Sequence, residues 1–206
     1  MDKNDLHGFF APKGMTASAG IVLSHVLYPT RDLVALAGDL LKRAKAKSAA
    51  LARKPAAGEP DGEEIGTLDF MVFSHIGSEL VKERRGKKYE RSGIGNNPVI
   101  LTERPYTSIE AERLLQTIRA LKADRVTRSR LKAFHSAAFQ EPGQAQSEAL
   151  TIKERLKTLG ILTERSALDD LLAGLSRLPF HENIDGTWST PLTEILEIYD
   201  FIQPKK

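Results

Sequence analysis

The sequence predicts an α+β protein in which a few strands and one long helix come first and a bundle of helices follows. Three observations carry that reading. Residues 15–28 mix small, β-branched and apolar side chains in a short run typical of a strand buried on both faces, with Ile21, Val22 or Leu23, and Val26 inside. From Arg31 the positions Leu33, Leu36, Ala37, Leu40, Leu41, Ala44 and Ser48 recur at helical spacing and give one stripe for packing on a sheet. Beyond Pro105 helical periodicity takes over, so the boundary is placed between a first domain at 1–105 and a helical domain at 106–206.

Each element has its own local reason. Pro29 and Thr30 end the first strand. "PAAGEPDGEEIGT", 55–67, is rich in proline, glycine and acid and reads as an exposed loop. "LDFMVFS", 68–74, has the aromatic and β-branched content of a second strand. Another loop, "GKKYERSGIGNNP", precedes a short extended piece, "VILTERPY". Thr107 and Glu110 fit a capping box, in which hydroxyl and carboxylate each satisfy a free backbone N–H at a helix start. Ala111, Leu114, Leu115, Ile118 and Leu121 line that helix. A second runs over 128–140 with Leu131, Phe134 and Ala138 inward. A third uses Ala145, Ala149, Ile152, Leu156 and Leu159 and ends at Gly160. Ser166 opens a fourth, Asp185 and Gly186 make a turn, and Thr190 with Pro191 starts the last.

Composition narrows the function classes. A chain of 206 residues with 28% charged and 41% apolar residues is ordinary for a soluble globular protein. It has no cysteine, which excludes disulfides, thiolate metal sites and cysteine nucleophiles and permits a reducing compartment. No apolar stretch approaches the roughly 20 residues that span a bilayer, so the expectation is a cytoplasmic protein with no membrane partner. Net charge is only +3, but it is unevenly spread. Lys42–Lys54 has six basic residues and no acid, Lys82–Arg91 six against two, and Lys122–Lys132 five against one. Such clusters read either as solvated faces or as an electrostatic footprint for phosphates.

In order along the chain, "MTASAGIVLSHVLYPTRDLVALAGDLLKRAKAK", "LDFMVFS", "LTERPYT", a leucine-rich helix and the tail "TPLTEILEIYDFI" resemble a known arrangement. It is that of the second palm domain and C-terminal helical domain of the large polymerase/cyclase subunit of type III CRISPR effector complexes. The strand and helix also resemble, more distantly, the last part of GGDEF-type diguanylate cyclases, where an "SxG" strand precedes a helix ending in "AK". The resemblance implies the C-terminal half of a ferredoxin-like palm. It implies a share in making cyclic oligoadenylates from ATP, with Mg or Mn held by paired acids of a Gly-Gly-Asp-Asp hairpin. It also implies other effector subunits, crRNA and target RNA as partners.

This sequence has no Gly-Gly-Asp-Asp, and 14 residues precede Met15. The metal-bearing acids are expected from a separate half, in an upstream part of the same subunit or in a partner, so no cofactor or catalytic residue is expected in this chain alone. Metal lowers the pKa of the attacking hydroxyl and neutralises the triphosphate, so the isolated chain is expected to be inactive. The adjacent Asp169 and Asp170 sit in a leucine-rich helix, where neighbours point about 100° apart and cannot clasp one ion. What the resemblance leaves to this chain is a nucleotide-binding set, Ser18 and Gly20 of the "SxG" strand and Lys45 of the "AK" helix. The alternative is that Ser18 and Gly20 permit tight helix–sheet packing and Lys45 is a surface lysine. The nucleic-acid-binding set drawn from the basic clusters is Lys82, Arg84, Arg85, Lys87, Lys88, Arg125, Arg128 and Arg130. The five histidines, His7, His25, His75, His135 and His181, lack metal-ligand spacing. "SGIGNNP" reads as a turn rather than a phosphate loop, and no Ser-His-Asp set is defensible. The competing function class is a non-catalytic assembly or regulatory protein built on a palm remnant.

Overall fold

The computed structural model describes residues 17–24, 27–52, 66–73, 89–91, 98–164, 166–183 and 186–203. In chain order the elements are β1 (Ser18–Ser24), α1 (Thr30–Ala52), β2 (Thr67–Phe73), β3 (Glu90–Arg91), β4 (Val99–Ile100), β5 (Tyr106–Thr107), α2 (Ser108–Ala123), α3 (Arg128–Ala138), α4 (Pro142–Thr158), α5 (Ala167–Ala173), β6 (His181–Glu182), β7 (Trp188–Ser189), α6 (Leu192–Ile198) and a 3-10 turn at Tyr199–Phe201. This is an α+β protein. It divides into two compact units, one within Met1–Val81 and Arg104–Ala111, the other within Lys82–Glu103 and Glu112–Lys206. The division does not fall at one cut after Pro105, because β5 pairs with β2 while β4 pairs with β7. The extended piece "VILTERPY" thus serves two sheets.

In the first unit β1 and β2 run parallel in register from Ser18↔Thr67 to Ser24↔Phe73. Parallel neighbours need a long crossover, which α1 supplies. β5 adds antiparallel to β2 through Thr67↔Thr107 and Leu68↔Tyr106, giving the order β1-β2-β5. Leu36, Leu40 and Ala44, at i, i+4 and i+8 of α1, are buried on one face. Tyr28, Leu36, Leu40 and Met71 form the core, with Val22 and Leu33 packed against it. On the sheet face turned away from α1, Ile21 is 42% exposed, while its register partner Phe70 and the stacked Tyr106 are buried. The capping box forms as its sequence predicts, with Glu110 N donating to Thr107 Oγ1 at 3.2 Å and Thr107 N donating to Glu110 Oε2 at 2.7 Å.

The second unit packs helices against a small sheet of order β3-β4-β7-β6. Val99, Leu101, Phe180 and Trp188 are buried together with Tyr89, Ala138 and Ala145. α4 ends at Gly160, whose φ of 65° lets Ile161 N bond back to Leu156 O at 3.0 Å. α2 ends in the same geometry with Arg125 at φ 55° and Val126 N on Leu121 O at 2.9 Å. Ser166 Oγ caps α5 through Asp169 N. Gly186, at φ 79°, donates to Asn183 O between β6 and β7; Asp185, read as its turn partner, lies outside the described residues. Glu194 of α6 is fully buried and accepts from the Thr102 hydroxyl and from Glu103 N.

Candidate functional site

The three residues of the nucleotide-binding expectation lie in the β1–α1 layer. A Cβ at Gly20 would overlap the Ala37 carbonyl oxygen and lie 2.5 Å from Leu41 N, so the helix backbone rests directly on this glycine. Ser18 Oγ lies 3.0 Å from Thr67 Oγ1, and Thr67 Oγ1 donates to Ala44 O at 2.8 Å. Because the one Thr67 hydroxyl hydrogen goes to Ala44, Ser18 is the donor in the first bond. Strand, strand and helix are thereby stitched one residue before Lys45, which itself is exposed. Ser18 and Gly20 therefore carry packing and hydrogen bonding toward α1, and Lys45 carries a solvent-facing charge beside them.

Lys47, two residues on, was not singled out by sequence. Its Nζ donates to Pro105 O and to Glu110 Oε2, each at 2.7 Å, tying α1 to the capping box of α2. Burial pushes the Glu110 carboxyl up, but the Lys47 and Thr107 hydrogen bonds and the Lys47 charge together bring it below its ordinary value.

The resemblance implies a divalent metal and ATP in a completed site, and the described residues gather no set of metal ligands. Among the described residues no three His, Asp or Glu side chains converge. Asp69 is fully buried and shares the α1 side of the sheet with its register partner Gly20, where Arg43 Nε lies 3.4 Å away. A carboxylate committed to a guanidinium under a helix is not a free ligand. Asp169 and Asp170 occupy the first turn of α5, with Asp169 3.8 Å from Lys153 Nζ.

Of the nucleic-acid-binding set, Lys82, Arg84, Arg85, Lys87 and Lys88 lie outside the described residues, as do His7, His25 and His75. Arg125, Arg128 and Arg130 fall around the start of α3, where Arg125 is exposed and Arg130 is half-buried. Arg128 Nη1 pairs with Asp200 at 2.9 Å.

The second unit also brings together a serine, a histidine and a carboxylate that lie far apart in sequence. Ser189 Oγ is 3.1 Å from His181 Nε2, and His181 Nδ1 is 3.1 Å from Glu103 Oε1. The order is that of a nucleophilic relay, but the bonding is not. Asn183 Nδ2 donates to Thr187 Oγ1 and Ser189 Oγ, and Asn183 Oδ1 lies 3.1 Å from His181 Nε2, so the asparagine and the serine share that nitrogen. The nitrogen that would act as base is engaged, and Ser189 is 4% exposed. Ser189, His181, Asn183 and Thr187 are hydrogen-bonded to one another across the β6–β7 hairpin. No sequence spacing signals them, because β4 and β7 meet only through the fold.

Among the described residues no helix is long and apolar enough to cross a membrane. No family model and no curated protein matches the chain.

Proposed function

We propose that this chain is a segment or subunit of a type III CRISPR-type effector that supplies the non-metal half of a ferredoxin-like palm nucleotide site. The other half, bearing the paired acids with ATP and Mg or Mn, comes from an upstream part of the same polypeptide or from a partner. The observation that carries the reading is the edge of β1. Among the described residues β1 pairs with β2 alone, although it is a seven-residue strand, and Ile21 is exposed on the face turned away from α1. A strand edge with no second partner among the described residues, beside an exposed Ile21, is a surface onto which further strands can dock. Lys45, exposed on α1, would then reach phosphate, and the α3 arginines would face RNA.

Two assays test this. The purified chain with ATP and Mg or Mn should yield no cyclic oligoadenylate by chromatography, and adding the acid-bearing half should yield both a stable complex and product. Product from the chain alone, or failure of the halves to associate, overturns the reading. A second reading, a non-catalytic palm remnant, is favoured by one observation: Ser18 and Gly20 are already committed to Thr67 and α1. It expects association without product.

A further inference from the structure

Arg128, Lys132 and His135 stand at i, i+4 and i+7 of α3 and share one face of that helix. They line a cleft of about 490 Å³ in the second unit. Its other wall is the i, i+3, i+4 face of α6, where Thr193, Leu196 and Glu197 stand, and Tyr89 contributes an aromatic ring. We propose that this cleft binds a nucleoside monophosphate, either free or as the phosphorylated end of an RNA. The proposal is independent of the palm reading, since it uses none of the first unit.

The cationic wall selects the phosphate. Arg128 is held in place by Asp200 Oδ2 at 2.9 Å and Leu196 O at 3.4 Å, so its guanidinium is oriented before any ligand arrives. Lys132 is exposed and has no ion-pair partner among the described residues, which leaves its charge for a ligand. These side chains sit at the first turns of α3, whose N-cap Thr127 makes no side-chain cap bond. The N–H groups of a helix start lack intrahelical acceptors and favour an anion.

The opposite wall selects the rest of the molecule. Thr193 is 3% exposed, lines the cleft, and its Oγ1 has no hydrogen-bond partner among the described residues. A buried hydroxyl left unpaired costs free energy that a ligand group would recover. Glu197 is fixed by Tyr89, whose hydroxyl donates to Oε1 at 2.8 Å. A carboxylate retains further lone pairs after accepting one bond and suits a sugar hydroxyl or a base amine. Facing the cations, it also disfavours a second and third phosphate. The Tyr89 and Leu196 surfaces give an apolar body something to cover, and the volume suits a small organic ligand, typically about 300–1,000 Å³, rather than a bare anion.

Isothermal titration of the full chain with AMP, adenosine, inorganic phosphate, and a short single-stranded RNA with or without a 5′-phosphate tests the proposal. AMP should bind at least about 10-fold more tightly than adenosine or phosphate, the scale of one charge-assisted hydrogen bond. Lys132→Ala should weaken AMP by about 10-fold, and Thr193→Val, which keeps the side-chain shape, by about 3- to 10-fold. Lys157→Ala, an exposed lysine of α4 outside the cleft, should change nothing. If 5′-phosphorylated RNA binds more tightly than both AMP and its unphosphorylated form, the ligand is an RNA end; if AMP binds as well as the RNA or better, it is a free nucleotide. Absence of AMP binding, inorganic phosphate binding as tightly as AMP, or both variants binding AMP like the parent chain with unchanged thermal unfolding, overturns it.

Discussion

Lys47 Nζ and Thr107 N converge on one carboxylate oxygen, Glu110 Oε2, at 2.7 Å each, so a single acid closes the capping box and ties α1 to α2. Its burial raises the carboxyl pKa, the Lys47 and Thr107 bonds lower it, and the lowering prevails. The unfolded chain then binds the proton more tightly than the folded one. Stability from this group is present above its ordinary value of 4.5 and is lost as pH falls through the lower folded value. Glu110→Gln should flatten that acid limb of the stability curve in urea titrations between neutral pH and about pH 3. Thr107→Ala should cost about 1 kcal/mol at neutral pH. An acid limb unchanged in Glu110→Gln contradicts the assignment.

Gly20→Ala tests the contact between β1 and α1. The added Cβ would meet backbone atoms of Ala37 and Leu41, not the movable end of a side chain, so the helix must shift off the strand. Overpacking of this kind costs about 1–3 kcal/mol. We expect a lower urea midpoint with an unchanged slope. An unaltered midpoint would mean that α1 sits farther from β1 than described.

These first-unit features were partly legible in the chain. The spacing of Leu36, Leu40 and Ala44 gave the buried face of α1, and Thr107-x-x-Glu110 gave the cap, because both depend on neighbours within a few residues. The same local signals miss Arg43 on Asp69 and Lys47 on Glu110, which join residues brought together by a crossover. They also miss the cleft. Arg128-x-x-x-Lys132-x-x-His135 reads only as a basic helix face until α6 packs opposite it. Ser18 and Gly20 were legible as a strand needing close approach; what approaches them is α1, which sequence could offer only as one of two alternatives.

Tyr199 supplies an alkaline counterpart. Its hydroxyl donates to Val126 O at 2.5 Å, and burial, then the nearby Asp200 charge, raises its pKa above the ordinary value of 10.0. Here the folded state holds the proton more tightly. The contribution is complete below 10.0 and is lost as pH rises through the folded value. Tyr199→Phe should cost about 0.5–1.5 kcal/mol at neutral pH and remove this part of the alkaline decline. Thermal unfolding of both proteins from pH 8 to pH 11 makes the comparison; parallel curves would show that the tyrosine does not titrate against folding.

Arg125 offers the sharpest separation of stability from function. It holds φ 55° at the end of α2, the left-handed conformation that Gly160 adopts at the end of α4, with the same backbone bond closing each turn. A side chain in that conformation costs about 1–2 kcal/mol, while glycine meets no such penalty but has more backbone freedom to lose. Arg125→Gly should therefore stabilise the chain by up to about 1 kcal/mol. The arginine is exposed, so no packing explains its presence at a position where glycine is cheaper. The proposal that Arg125 faces RNA would give this strain a role, in a contact made with the bound partner. Arg125→Gly should then raise the unfolding midpoint and weaken single-stranded RNA binding, with a salt dependence of log K reduced by about 0.7, the slope for one phosphate contact on a single strand. Fluorescence anisotropy across a salt series, run beside urea unfolding on the same variant, reads both. A stabilised variant that binds RNA with the parent slope leaves the arginine without a role at the nucleic acid and removes Arg125 from the interface.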